Sequence, residues 1–135
     1  LGPSVARLKE AGIRVSLFIG ADKAQLDAAV AVGAPVVELH TGAYADAESP
    51  AVREAELSRL VAAAAYAAEI GLECHAGHGL SFDNVAPIAA IPTIVELNIG
   101  HFLIGEAIFS GLTPVLAEMR SRMDAARTAA GTPGA

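Results

Sequence analysis

Val36-Val37-Glu38-Leu39-His40 is the stretch that decides the fold. Its valines and leucine read as a β-strand, yet Glu38 and His40 fall at alternate positions, so one face of the strand is polar. Three other runs behave the same way. Arg14 and Ser16 alternate within 13–19, Glu73 and His75 within 72–76, and Glu96 and Asn98 within 95–99. The residues between them, Val15 and Leu17, Val37 and Leu39, Cys74 and Ala76, Leu97 and Ile99, are apolar.

Helical segments separate these runs. A helix over 4–11 closes at Gly12; a second, capped by Asp22, carries Leu26, Ala29 and Val30 and ends at Gly33; a third spans 52–70 with Leu57, Leu60, Val61 and Ala64 on one stripe, and Gly71 stops it. Residues 41–50 read as a long polar loop. Asp83 or Asn84 caps a short helix to Ile91, a short apolar helix covers 102–109, and Thr113 with Pro114 starts a last helix to about Ala126. Residues 128–135 read as a disordered tail.

Strand and helix alternate four times, the pattern of βαβ units and a parallel sheet. An open, doubly wound sheet buries both faces of its strands, which then read as near-continuous apolar runs. Here each strand has one polar face. The outside of a barrel strand lies under helices and the alternate set points inward, so the expected architecture is a (β/α)8 barrel. Such a barrel needs about 250 residues. The 135-residue chain is therefore expected to supply the last four βα units, 1–127 forming the C-terminal half of one barrel domain.

Composition narrows the function. With 53% hydrophobic and 18% charged residues the chain has the makings of a packed core, and a net charge of −6 argues against a nucleic-acid partner. No apolar run approaches the roughly 20 residues of a membrane span. Nothing after Leu1 resembles a signal peptide, and the single cysteine, Cys74, has no partner for an intramolecular disulfide, so a reducing cytoplasmic setting is expected.

The chemistry concentrates at two glycine-rich turns, Ala76-Gly77-His78-Gly79-Leu80 after the third strand and Asn98-Ile99-Gly100-His101 after the fourth. Glycines let backbone N–H groups approach an anion, and the helix after Gly100 aims its free N–H groups and positive dipole end at the same place. Barrels commonly bind phosphate between the loops after strands 7 and 8, beside an extra short helix. A phosphorylated small molecule is the expected ligand; the alternative is that both turns are merely tight connections.

His78, in the turn, suits proton transfer. Glu38, inward on its strand, is either chemical or ion-paired with Arg14 or a residue outside this chain. Glu73 and Glu96 lie earlier in their strands, where a structural role is expected. His40, His75, His78, His101 and Glu38 do not form a metal cluster by their spacing, and Cys74, of outward parity, reads as a buried thiol. Tyr44 could close over a ligand or pack.

The runs Val15-Ser16-Leu17-Phe18-Ile19, Val37-Glu38-Leu39-His40-Thr41-Gly42 with Tyr44-Ala45, Ala76-Gly77-His78-Gly79-Leu80 with Asp83-Asn84-Val85, Ile88-Ala89-Ala90-Ile91-Pro92 and Glu96-Leu97-Asn98-Ile99-Gly100-His101 together resemble the C-terminal half of the pyridoxine 5'-phosphate synthase family, over about residues 1–124. The resemblance implies a (β/α)8 barrel that condenses 3-amino-2-oxopropyl phosphate with 1-deoxy-D-xylulose 5-phosphate, with no metal or organic cofactor, in a cytoplasmic homo-oligomer. It implies His78 as proton donor, Glu38 as a transition-state-stabilising carboxylate, and Gly79, Gly100 and His101 as the aminooxopropyl phosphate site. Gly20 stands where the family usually has an acidic residue, and His75 where it usually has Asn. The family's proton acceptors lie on strands 1 to 4, so this chain alone is expected to be inactive. Another phosphosugar-handling barrel enzyme and a non-catalytic phosphate-binding half-barrel are the rival readings. Lys9 and Lys23 both lie in helical segments, which disfavours Schiff-base chemistry.

Overall fold

The computed structural model describes residues 1–131. Four strands, β1 (Ser16–Ile19), β2 (Val36–His40), β3 (Glu73–Gly77) and β4 (Ile94–Asn98), form one parallel sheet in the order β1-β2-β3-β4. Seven helices accompany them: α1 (Gly2–Glu10), α2 (Lys23–Ala31), α3 (Gly42–Ala45), α4 (Pro50–Glu69), α5 (Val85–Ala89), α6 (His101–Ser110) and α7 (Leu112–Ala129). Parallel strands joined in sequential order by right-handed crossovers put every crossover helix on one side. That is how a barrel is wound, and the chain is four βα units of a (β/α)8 barrel.

The two faces of the sheet follow the alternation in the sequence. Val37, Leu39, Cys74 and Ala76 are all buried, and with Leu17, Ile19, Leu97 and Ile99 they pack under Leu26 and Ala29 of α2, Leu60, Ala64 and Ala67 of α4, and Ile88 of α5. The opposite face carries Phe18, Glu38, His75 and Glu96 in one register row and His40, Gly77 and Asn98 in the next. A bulge keeps β4 in phase: Ile94 meets Cys74 and Glu96 meets His75, which leaves Val95 as the extra residue.

The N-terminal part of the polar face is tied by charge. The Arg14 guanidinium pairs with Glu73, whose carboxylate also meets His75 Nε2 at 2.8 Å, and His75 Nδ1 lies 3.3 Å from Glu96. The bond to Arg14, then the one to His75, pulls the Glu73 carboxyl down to about 2. The structural role expected for both glutamates is what they have.

Several boundaries differ from the expectation. The loop 41–50 contains a helical turn, α3, and α4 begins at Pro50 behind the Ser49 cap, whose hydroxyl accepts from the Val52 N–H at 3.3 Å. Gly111, at φ 84°, is the N-cap of α7 in place of Thr113, and α7 continues through Ala129 because Arg127, Thr128 and their neighbours keep helical bonding. The expected tail is thus helical at its start, and 132–135 lie outside the described residues. Tyr44 is no lid: it is buried, and its hydroxyl donates to the Asn84 carbonyl at 2.8 Å. Among the described residues no helix is long and apolar enough to cross a membrane.

Candidate functional site at the carboxyl ends of the strands

The side chains singled out from the sequence converge on one cleft of about 620 Å³ at the carboxyl ends of the strands, with Glu38, His78, Gly79, Gly100 and His101 all in its wall. Phe18 and Asn98 line it as well.

Gly77 makes the floor possible. On β3 it lies between His40 of β2 and Asn98 of β4, and a Cβ here would overlap Glu38 Oε1 and come within 2.7 Å of the Asn98 carbonyl oxygen. Without one, Glu38 and Asn98 reach each other over β3, and Asn98 Nδ2 donates to Glu38 Oε2 at 2.8 Å. Arg14, the alternative partner, is held by Glu73. Glu38 is therefore a carboxylate in the cleft wall with an amide partner and, among the described residues, no ion pair.

The turn that follows is held from β2. Thr41, fully buried, shares its hydroxyl proton between the Gly77 and His78 carbonyls at 2.7 and 2.6 Å, and its own N–H donates to the Gly77 carbonyl at 2.8 Å. His78 adopts φ 84°, a left-handed conformation uncommon for any residue but glycine, and Gly79 follows at φ 80°. A Cβ on Gly79 would come within 2.7 Å of the Ala45 Cβ, so both conformation and space demand glycine there. Asn84, expected as a helix cap, makes no capping bond; its amide instead donates to the Gly79 carbonyl at 3.1 Å and its carbonyl accepts the Ser81 N–H at 2.7 Å. The loop is thus braced at both ends.

The second turn presents a helix end. Gly100 caps α6 without a side-chain bond, and the first intrahelical bond runs from Ile104 N–H to the Gly100 carbonyl at 3.1 Å. The N–H groups of the preceding turn are thus free for an anion, next to the His101 imidazole. Phe102 packs edge-on to Phe82 at 4.7 Å between ring centroids, which fixes α6 against the first turn.

His75 is taken up by Glu73 and Glu96, while His40 and His78 stack on each other at 4.6 Å. Among the described residues no three or more His, Cys, Asp and Glu side chains are grouped to hold a metal. Cys74 is buried on the helix side, and burial pushes its thiol up to about 12. Reasoning from the sequence missed Thr41 and the part Gly77 plays; the signal available was a glycine at a strand end whose neighbouring strands carry Glu38 and Asn98 on the same face.

Fold and cleft together define part of a (β/α)8-barrel enzyme scaffold, the class that keeps its active sites at the carboxyl ends of the strands. Comparison with known proteins makes this specific. The family model described as pyridoxal phosphate biosynthesis protein PdxJ matches residues 1–125, and the chain belongs to that family. It is 64% identical over 126 residues to the pyridoxine 5'-phosphate synthase of Rhodospirillum rubrum, covering 93% of this chain and 51% of that protein. It is 61% identical over 130 residues to that of Jannaschia sp., covering 94% and 52%, and 59% identical over 134 residues to that of Xanthobacter autotrophicus, covering 97% and 52%. The chain spans about half the length of the curated relatives it matches.

Proposed function

We propose that the chain supplies the C-terminal half of a pyridoxine 5'-phosphate synthase, the enzyme that condenses 3-amino-2-oxopropyl phosphate with 1-deoxy-D-xylulose 5-phosphate and closes the pyridine ring of pyridoxine 5'-phosphate. The observation that carries this is the convergence of His78, Glu38, Gly79, Gly100 and His101 on one cleft between two glycine turns and a helix N-terminus.

The free N–H groups at the start of α6, the Gly79 and Gly100 backbone and the His101 ring hold the phosphate of the aminooxopropyl substrate. Condensation of an amine with a ketone develops positive charge at nitrogen, and the Glu38 carboxylate on the cleft floor stabilises it. Loss of water and of phosphate each leaves an oxyanion that needs a proton, and the His78 imidazole is the donor. The proton acceptors and most contacts to the deoxyxylulose phosphate belong to the other half of the barrel, so the chain alone is inactive. The complete protein works as a cytoplasmic homo-oligomer.

The test is to incubate the chain with both phosphorylated substrates, alone and with a separately produced N-terminal half, and to follow the absorbance of the product pyridine. Product in the mixture alone is the expected result. Product from the chain alone refutes its dependence on the other half, and none in either arm favours a half-barrel that binds phosphate without catalysis.

A further inference from the structure

We infer that His40 is a positioning residue for His78: its ring, held by the Gly42 N–H, is the platform on which the His78 imidazole lies. The inference rests on the reading of His78 as proton donor.

His40 ends β2 and His78 follows β3, so parallel pairing of the two strands brings their side chains to the same end of the sheet. The rings lie face to face, 4.6 Å between centroids and 25° between planes, and Phe18 of β1 closes the group at 5.1 Å from His40. The stack has no slack beneath it, since a Cβ on Gly42 would overlap His40 Cε1 and come within 3.1 Å of His78 Cδ2. His40 Nδ1 accepts the Gly42 N–H at 3.3 Å. This contact fixes the rotation of the His40 ring.

The other titratable groups around the cleft are Glu38 on β2 and His101 on α6. Neither stacks on His78. His78 has the strained backbone and His40 the ordinary one, so the rigid partner orients the reactive one.

Two substitutions separate ring from hydrogen bond. His40→Asn keeps an acceptor at the Nδ1 position and deletes the ring; His40→Phe keeps a ring and deletes the acceptor. In this chain, the His78 ring resonances should shift in His40→Asn, where the stacked neighbour is lost, and shift less in His40→Phe, which keeps a ring beneath them. In the reconstituted barrel, His40→Asn should lower kcat by roughly tenfold with KM for the aminooxopropyl phosphate changed less than about twofold, and His40→Phe should recover part of the loss. His78 ring resonances and a kcat both unmoved in His40→Asn overturn the inference, as does a His40→Phe variant no better than His40→Asn. His78→Asn in the same assay tests the reading beneath: if turnover survives it, His78 is not the donor, whereas turnover lost in His78→Asn but intact in His40→Asn refutes the platform alone.

Discussion

Replacing Gly77 by alanine probes the floor of the cleft with one methyl group. The new Cβ would lie 2.7 Å from the Asn98 carbonyl oxygen and 3.0 Å from the Asn98 Cβ, and would overlap Glu38 Oε1. Glu38 can swing away, but the Asn98 carbonyl is backbone of β4 and can retreat only if the strand moves. Overpacking of a tight site costs about 1–3 kcal/mol, and the backbone obstruction puts Gly77→Ala at the upper end. Displacing Glu38 also breaks its bond from Asn98, worth about 1 kcal/mol at a partly exposed position. The total, about 4 kcal/mol, corresponds to a fall in Tm of roughly 15 °C for a chain of this size. Urea unfolding measures it as a lower midpoint at unchanged slope. Gly105→Ala is the control: nothing lies within 4 Å of a Cβ there, it is inside α6, and the exchange should stabilise by about 0.5–1 kcal/mol. A Gly77→Ala chain within about 0.5 kcal/mol of the parent would refute the reasoning, because β4 would then have room to move that the packing denies.

Thr41→Val removes the hydroxyl that holds the Gly77 and His78 carbonyls and should destabilise by about 1–2 kcal/mol in urea, with Thr41→Ser close to the parent. The Glu73 carboxyl is held at about 2 against an ordinary 4.5, so its contribution to stability is complete above about 4.5 and is lost as the pH falls towards 2. Glu73→Gln should therefore flatten the acid side of the Tm–pH curve over that interval, and an unchanged slope counts against the Arg14–Glu73–His75 assignment. Cys74, buried with its thiol near 12, should resist a thiol reagent at pH 8 in the folded chain and react in urea at the rate of unfolding. Rapid labelling without denaturant would contradict its burial.

The sheet and its two faces were legible because the signals are local: alternation within each strand, and glycines 12, 33 and 71, all in left-handed conformations, at the ends of helices. Boundaries slipped where a group had a choice of partner. β1 begins at Ser16 rather than at residue 13 because pairing with Val36 begins there. α3 carries no cap to announce it, since the Thr41 hydroxyl is spent on the Gly77 and His78 carbonyls. Asn84 had the right chemistry for a cap and used it on Ser81 and Gly79 instead. In the site, His78, Glu38 and the glycine turns could be named from residue type and position. The contacts that Thr41, Asn98 and His40 make depend on register between strands, which no single strand encodes.

The sheet order has a consequence for how the chain is made. Leu17 meets Val37, Val37 meets Cys74 and Ala76 meets Leu97, so each strand finds its partner in the unit synthesised just before it. Within these four units every pairing joins consecutive strands, so no loop longer than one βα unit has to close. Structure can therefore grow in the direction of translation, one βα unit docking on the last. The outermost strand, β4, is at each moment the template for whatever follows it in space.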